Sequence, residues 1–176
     1  TMISALKSED EKIDIGHAGT AMRFLTSYYS SIINSSKILT GSERMKQRPI
    51  SILVDALNHI GAEIEYLESE GYPPIKLKGK LITNNVVILP ANVSSQYISS
   101  LMMLGVSLED GLKINLSTKI TSLPYIKMTK ILIERIGGEV IIKSDKIIIK
   151  PFIAHNISDQ TVESDWSSAS YFYSLV

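Results

Sequence analysis

Glycine, hydroxyl and arginine residues recur in this chain where a loop leads into a predicted helix. The clearest case is G-H-A-G-T-A-M-R at 16–23, which follows a β-prone run and leads into a predicted helix. The apolar residues that form one face of this helix are Met22, Leu25, Tyr29, Ile32 and Ile33. The first turn of a helix has unpaired N–H groups and the positive end of the helix dipole. Gly19 would let a ligand approach that backbone, and Arg23 follows one turn later. The segment is suited to bind an anion, although an ordinary capped helix with a surface arginine has the same pattern.

Three further groups of polar residues precede or begin predicted helices. Each group also has an ordinary interpretation. Helix capping explains Ser94 as well as ligand binding does. A single arginine in a loop is more often only solvated, and Tyr125 taken alone is more often a residue at the edge of the core. Together, guanidinium forks, hydroxyls, an amide and backbone N–H groups predict a small ligand with phosphate or carboxylate groups. The candidates in these groups are Arg44, Arg48, Ser94, Ser95, Gln96, Ser122 and Tyr125, and His17 and Thr20 are secondary candidates in the first segment.

Composition excludes several classes of protein. The 18 basic and 18 acidic residues cancel, so the basic excess typical of nucleic-acid binders is absent. The chain has no cysteine, which excludes disulfides and a thiol nucleophile, and no metal-ligand spacing or Walker-type loop is found. No apolar run is long enough to span a bilayer, and residues 1–14 lack the apolar core of a signal peptide. We therefore expect a cytoplasmic protein without metal, membrane or nucleic-acid partners.

The periodicity predicts two similar halves. Overlaying them places Thr20 on Gln96 and Lys37 on Lys113, a shift of 76 residues in both cases. A constant shift predicts an α/β fold made of repeated βαβαββ units. In such a repeat we expect the equivalent helix N-termini to gather at one end of the domain. The predicted strands cover 12–15, 37–40, 63–67, 75–78, 86–89, 112–116, 139–142 and 146–150, and the predicted helices begin near Gly19, Pro49, Ser94 and Pro124. Residues 41–48 are predicted to form a polar, basic loop, and Gly61 and Gly137 are predicted to end the second and fourth helices.

A third helix start is visible near the end of the sequence. Residues 166–171, W-S-S-A-S-Y, are similar to V-S-S-Q-Y at 93–97, and the sequence stops within the helix that they predict. We therefore expect that the sequence is a piece of a longer protein and that 151–160 is a linker.

Several ordered blocks resemble one known family. Residues 16–23 resemble its motif G-N-A-G-T-A-x-R, and L-T-G-S-E-R-M-K-Q-R-P-I at 39–50 resembles its signature L-T-G-x-x-R-M-x-x-R-P-I. Y-P-P at 72–74, V-S-S-Q at 93–96, S-L-P-Y at 122–125 and D-W-S-S-A at 165–169 match later blocks in order. The family is 3-phosphoshikimate 1-carboxyvinyltransferase, also called 5-enolpyruvylshikimate-3-phosphate synthase.

The resemblance implies an enolpyruvyl transferase of two lobes. Each lobe would hold three βαβαββ units around a pseudo-threefold axis, with helices inside and sheets outside. The enzyme would transfer the enolpyruvyl group of phosphoenolpyruvate to the 5-hydroxyl of shikimate 3-phosphate and release phosphate, a step of aromatic amino acid biosynthesis. It would be a monomer without a cofactor. Residues 1–155 would be the first lobe, incomplete at its start, and 156–176 the crossing segment and the start of the second lobe.

The resemblance also implies roles for individual residues. Gly19 and Arg48 would contact phosphoenolpyruvate, Gln96 would contact both substrates, and Tyr125 would lie on the shikimate side. Arg23 would have a structural or electrostatic role, like Arg44. The residues implied to contact shikimate 3-phosphate are Ser94, Ser95 and Ser122.

The chain departs from the family pattern at several positions. His17, Phe24 and Leu123 stand where the family usually has asparagine, proline and lysine. Residues 1–14 have no counterpart of the family's lysine–serine–arginine block, and Asp165 resembles the acid at the crossing between lobes, not the proton acceptor. No catalytic residue is therefore expected in this chain, which should be inactive alone. The alternatives are a UDP-N-acetylglucosamine enolpyruvyl transferase and a non-catalytic polyanion-binding module.

Overall fold

The computed structural model describes residues 1–153, 161 and 173–174. Helices and strands alternate along most of this part of the chain. The helices are α1 Met2–Lys7, α2 Gly19–Ser31, α3 Glu43–Lys46, α4 Ser51–His59, α5 Ser95–Gly105 and α6 Leu123–Arg135. The strands are β1 Lys12–Asp14, β2 Ser36–Thr40, β3 Glu63–Tyr66, β4 Ile75–Lys78, β5 Val86–Leu89, β6 Leu112–Leu116, β7 Val140–Ile142 and β8 Lys146–Ile149.

The strands form two four-stranded sheets of the same topology. The first has the order β1-β2-β4-β3 and the second has the order β5-β6-β8-β7. In each sheet the first two strands are parallel and the other neighbours are antiparallel. The parallel pairs are joined by α2 and α5, as a crossover between parallel strands requires. The predicted α/β fold of repeated βαβαββ units is thus confirmed, whereas the pseudo-threefold arrangement stays a prediction.

The core lies between the sheets and the helices, and α5 is buried along most of its length. Two hydroxyl pairs join the helices in this interior. Ser27 of α2 and Ser100 of α5 have their oxygens 2.6 Å apart, and Ser99 of α5 lies 2.7 Å from the hydroxyl of Thr129 of α6. Buried hydroxyls need hydrogen-bond partners, so these pairs help to fix the positions of α2, α5 and α6 relative to one another.

The end of α2 differs from the prediction. Met22, Leu25 and Tyr29 are buried on one helix face as expected. Ile32 and Ile33, which the helical spacing predicts on the same face, lie beyond the helix and are exposed. The chain turns away at this point, since Asn34 has a φ of 65°, and this turn is set by contacts that the 3.6-residue pattern does not encode.

Two short helices were not predicted, and one helix begins later than expected. The predicted loop at 41–48 contains α3, whose start is capped by Ser42. The helix α1 was also missed, because a helix of one or two turns depends on packing more than on intrinsic propensity. Pro49 was expected to open a helix, but α4 begins at Ser51 and leaves the Pro49 carbonyl free to accept other donors.

The predicted glycine turns that end α4 and α6 are present. Gly61 and Gly137 have φ values of 111° and 97°, which side chains resist, and each follows its helix at the equivalent place of its unit. Most of the predicted linker 151–160 and all of the predicted helix at 166–171 lie outside the described residues. Each helix in the described part of the chain is too short or too polar to span a bilayer.

Candidate functional site

The first turns of α2 and α5 lie side by side. The side-chain amide of Gln96 donates a 2.9 Å hydrogen bond to the hydroxyl of Thr20, across 76 residues of sequence. These residues occupy equivalent positions in the two units, so the repeat brings matching helix starts together as predicted. Gln96 and Thr20 therefore mark the junction between the units at the candidate site.

The start of α2 is open. Its N-cap residue is Ala18, which has no side chain that can accept a hydrogen bond, and the first intrahelical bond is 3.0 Å from the Met22 N–H to the Ala18 carbonyl. The N–H groups of residues 19–21 have no acceptor among the described residues. This end of the helix can therefore bind an anion through several backbone donors and its dipole.

The guanidinium of Arg48 lies directly against Gly19. A Cβ built on Gly19 would stand 2.7 Å from the Arg48 Cζ and 2.9 Å from its Nη2. Gly19 is not among the glycines with positive φ. Glycine is therefore required here for space and not for backbone conformation, and the group that uses the space is the Arg48 side chain.

A pocket of about 480 Å³ opens next to this contact and is lined by His17, Arg44, Met45 and Arg48. The Nδ1 atom of His17 lies 2.8 Å from the Ser42 hydroxyl, which also accepts a 3.3 Å hydrogen bond from the Met45 N–H. The bond from Met45 uses one lone pair of the hydroxyl, so the hydroxyl either donates to Nδ1 or accepts from it, according to the tautomer of His17.

Arg23 is a buried cation behind the open surface of the site. It is 3% exposed, and its Nη1 and Nη2 donate to the carbonyls of Gly19 and Pro49 at 3.2 and 2.9 Å. Burial lowers the pKa of Arg23, the neighbouring Tyr97 hydroxyl opposes this shift, and the charge of Arg48 adds to it. The Nε of Arg23 has no partner among the described residues.

The site carries excess positive charge. Among the described residues, none of Arg23, Arg44 and Arg48 forms a salt bridge. The whole chain has no net charge, so this concentration of cations is local. Cations without counter-ions beside an open helix N-terminus produce a potential that favours an anionic ligand.

The hydroxyl candidates of the second unit are placed differently. Ser94 is the N-cap of α5, and its Oγ accepts a 3.3 Å hydrogen bond from the Gln96 N–H. Ser95 follows it and is half-buried beside Gln96. Capping, one of the two interpretations of Ser94, is thus present, and binding by Ser94 and Ser95 stays a prediction.

Ser122 and Tyr125 lie at the start of α6. Ser122 makes no side-chain capping bond, and Tyr125 is 60% exposed. No hydrogen bond between described residues joins either of them to Arg48 or Gln96. Direct contacts thus join the candidates at α2, α3 and α5, and α6 packs on α5 through Thr129, which pairs with Ser99 and donates to the Tyr125 carbonyl. The parts of Ser122 and Tyr125 in binding stay a prediction.

Two residues of the site, Tyr97 and Ser42, could not be recognised from the sequence. Tyr97 donates a 2.7 Å hydrogen bond to the Pro49 carbonyl, and Ser42 orients His17. Serine before a helix is a recognisable cap signal. The signal could not be used at Ser42, because α3 has four residues and is too short to show a helical pattern. In the sequence, Tyr97 has the pattern of an ordinary core residue, so nothing indicated that its hydroxyl takes part in the site.

Metal binding has no support in the described residues. Within them, no group of three or more histidine, aspartate and glutamate side chains could hold a metal ion. Asp165 lies outside the described residues.

Comparison with known proteins gives the same assignment over nearly the whole chain. Residues 2–176 match the family profile of EPSP synthase (3-phosphoshikimate 1-carboxyvinyltransferase). The 3-phosphoshikimate 1-carboxyvinyltransferase of Bacteroides fragilis (strain YCH46) is 48% identical over 174 residues, which cover 99% of this chain and 42% of that protein. The protein of the same name from Colwellia psychrerythraea is 41% identical over 90% of this chain and 37% of its own length.

The fold agrees with this family. The EPSP synthase from Acinetobacter baumannii superposes with a TM-score of 0.77 at 23% identity, over 94% of this chain and 36% of that one. The chain spans about two fifths of the length of the curated relatives that it matches. On the profile match, the identities and the common fold, this chain belongs to the EPSP synthase (3-phosphoshikimate 1-carboxyvinyltransferase) family.

Proposed function

We propose that the full-length protein containing this chain transfers the enolpyruvyl group of phosphoenolpyruvate to the 5-hydroxyl of shikimate 3-phosphate and releases phosphate. Family membership supports this proposal. The observation in the structure that carries it is the Arg48 guanidinium against Gly19, beside the open start of α2. That arrangement combines a guanidinium fork with free backbone N–H groups, and both are donors suited to a phosphorylated carboxylate.

In this proposal the chain binds and orients the substrates. Arg48, Gly19 and the N–H groups at the start of α2 bind phosphoenolpyruvate. Gln96 stands between the two substrates, which is consistent with its bond to Thr20 at the junction of the units. The residues proposed to bind shikimate 3-phosphate are Ser94, Ser95, Ser122 and Tyr125. Holding two reactants in a productive orientation removes much of the entropic cost of a bimolecular step.

The positive charge of the site has a role in the same reaction. Phosphoenolpyruvate and shikimate 3-phosphate both carry phosphate, so their approach to each other is opposed by repulsion. Arg23, Arg44 and Arg48, which lack carboxylate partners in the described part of the chain, offset that repulsion. No residue of this chain is assigned a proton-transfer step. We also propose that residues 1–155 belong to the first lobe and 156–176 lead to the second, in a monomeric cytoplasmic enzyme.

The test is phosphate release by the full-length protein. We expect release that depends on the presence of both phosphoenolpyruvate and shikimate 3-phosphate. Release that depends on UDP-N-acetylglucosamine in place of shikimate 3-phosphate would assign the protein to the related transferase. Calorimetric binding of inorganic phosphate and both substrates without any turnover would indicate a polyanion-binding module and overturn the proposal.

A further inference from the structure

The segment that carries Arg48 has no regular secondary structure of its own. It connects the end of α3 to the start of α4, and Pro49 in its middle has no N–H to donate. The Arg48 N–H donates to the Met45 carbonyl at 3.0 Å, and the Ile50 N–H donates to the Gly71 carbonyl at 2.9 Å. Between these two bonds, the position of the segment depends on what the Pro49 carbonyl accepts.

The Pro49 carbonyl accepts two hydrogen bonds from buried side chains. Arg23 donates at 2.9 Å, and Tyr97 donates at 2.7 Å. Arg23 and Tyr97 are 3% and 5% exposed, so water cannot easily replace either donor. The Arg23 Cζ also lies 5.8 Å from the centre of the Tyr97 ring, a cation–π distance. The two donors therefore support each other as well as the carbonyl.

Arg23 also binds the other side of the candidate site. Its Nη1 donates to the Gly19 carbonyl while its Nη2 donates to Pro49. One rigid guanidinium thus sets the distance between the start of α2 and the segment that carries Arg48. Tyr97 comes from α5 of the second unit, so the same carbonyl is also fixed relative to the helix that begins with the Ser94 to Gln96 block.

We propose that Arg23 and Tyr97 are positioning residues that hold the Pro49 carbonyl and so keep the Arg48 guanidinium over Gly19. Arg48 is exposed and has no salt bridge within the described residues, so nothing at its tip fixes it. A fork binds phosphate or carboxylate through two parallel hydrogen bonds only when its plane is correctly oriented. The hydroxyl of Tyr97 thereby acts on substrate affinity through Arg48, without contacting the substrate.

The test uses Tyr97→Phe in the full-length protein. It rests on the proposed function, because KM values for the two substrates can be measured only if the protein catalyses that reaction. Phenylalanine keeps the ring against Arg23 and removes only the hydroxyl. A neutral hydrogen bond corresponds to roughly a two- to tenfold change in an equilibrium constant. We expect the KM for phosphoenolpyruvate to rise by about this factor while the KM for shikimate 3-phosphate changes by less than about twofold.

Tyr29→Phe is the matched control. Tyr29 is 4% exposed and donates a 2.8 Å hydrogen bond to the Ala5 carbonyl, and it lies ten residues along α2 from Gly19, about 15 Å of helix. Both variants lose a buried bond from tyrosine to a backbone carbonyl, so both should lose similar thermal stability, but Tyr29→Phe should keep both KM values. Equal changes of both KM values in Tyr97→Phe, or unchanged KM values with reduced stability, would show a merely structural role and overturn the proposal.

A double variant tests whether the effect passes through Arg48. In an Arg48→Lys background the fork is absent, so adding Tyr97→Phe should change the phosphoenolpyruvate KM by less than about twofold. A full additional effect would overturn the proposal. If the wild-type protein shows no turnover, the proposed function fails, and positioning is then measured by titration with inorganic phosphate. Weaker phosphate binding by Tyr97→Phe than by Tyr29→Phe would support positioning, and equal or absent binding would overturn it.

Discussion

The guanidinium of Arg48 fills the space that a side chain on Gly19 would occupy. The Cζ of Arg48 lies 2.7 Å from the position of a Cβ on Gly19, while the backbone of Gly19 has no positive φ. These two residues are 29 positions apart in the sequence and come from different elements. Their contact explains why a glycine is needed at the start of α2 and which side chain depends on it.

Replacing Gly19 with alanine should therefore impair binding more than folding. The new methyl group would displace the Arg48 guanidinium, which is the far end of a flexible side chain, and alanine favours a helix. We expect the phosphoenolpyruvate KM of the full-length protein to rise roughly tenfold or more, the effect of losing a charged hydrogen bond. The melting temperature without ligand should change little.

Gly41→Ala is the control for this prediction. A Cβ on Gly41 would stand 2.6 Å from the Gly16 carbonyl oxygen and 2.9 Å from the Met45 Cβ, so backbone must move. This variant should melt at a distinctly lower temperature. If Gly19→Ala lost as much stability as Gly41→Ala and kept its KM, Gly19 would be a structural residue.

Replacing Arg48 with lysine should weaken the binding of phosphoenolpyruvate much more than the binding of shikimate 3-phosphate. Lysine keeps the charge but loses the planar fork, so a two-pronged contact becomes a point contact. A lost charged hydrogen bond costs about 1.5–3 kcal/mol, roughly 10- to 150-fold in KM. Steady-state kinetics in which each substrate is varied in turn measure the effect. Arg135→Lys, at the exposed end of α6, should be neutral, and equal effects of Arg48→Lys on both substrates would count against the assignment.

Removing the hydroxyl of Ser100 should destabilise the junction of the two units. Ser100 donates a 2.7 Å hydrogen bond to the Arg23 carbonyl and pairs with Ser27, and it is 1% exposed. Ser100→Ala leaves both partners buried and without their bond, which costs about 1–3 kcal/mol. Urea unfolding should show this loss. Ser107→Ala, at an exposed serine after α5, is the control, and equal unfolding midpoints of the two variants would contradict the prediction.

Glu63 should make stability depend on pH in the acid range. Hydrogen bonds from Lys78 and then Lys80 lower the pKa of Glu63 from 4.5 to about 2. Because the pKa is lower in the folded than in the unfolded state, the stabilisation is complete above about pH 4.5 and is lost as pH falls toward about 2. The melting temperature of Glu63→Gln should therefore fall less steeply over this range. A slope equal to that of the wild type would show that the ion pairs do not contribute.

The sequence predicted the fold well where a local pattern carried the information. The strands Ile75–Lys78, Val86–Leu89 and Leu112–Leu116 lie within the predicted limits, because alternating or continuous apolar residues between turn signals specify a strand directly. The equivalent glycines Gly61 and Gly137 were also predicted, since the left-handed conformation after a helix favours glycine. Prediction failed for α1 and α3, whose few residues carry too little periodic signal.

The sequence by itself determined the repeat, the family and the residue types at the candidate site, because these follow from order and spacing along the chain. The tertiary structure alone decided which of those residues meet. It placed Arg48 on Gly19, joined Gln96 to Thr20 and brought the Tyr97 hydroxyl to the Pro49 carbonyl across 48 positions. Such contacts depend on how α2 packs against α5 through buried hydroxyls and apolar side chains. That packing involves residues of both units that are far apart in the sequence, so no local sequence pattern specifies it.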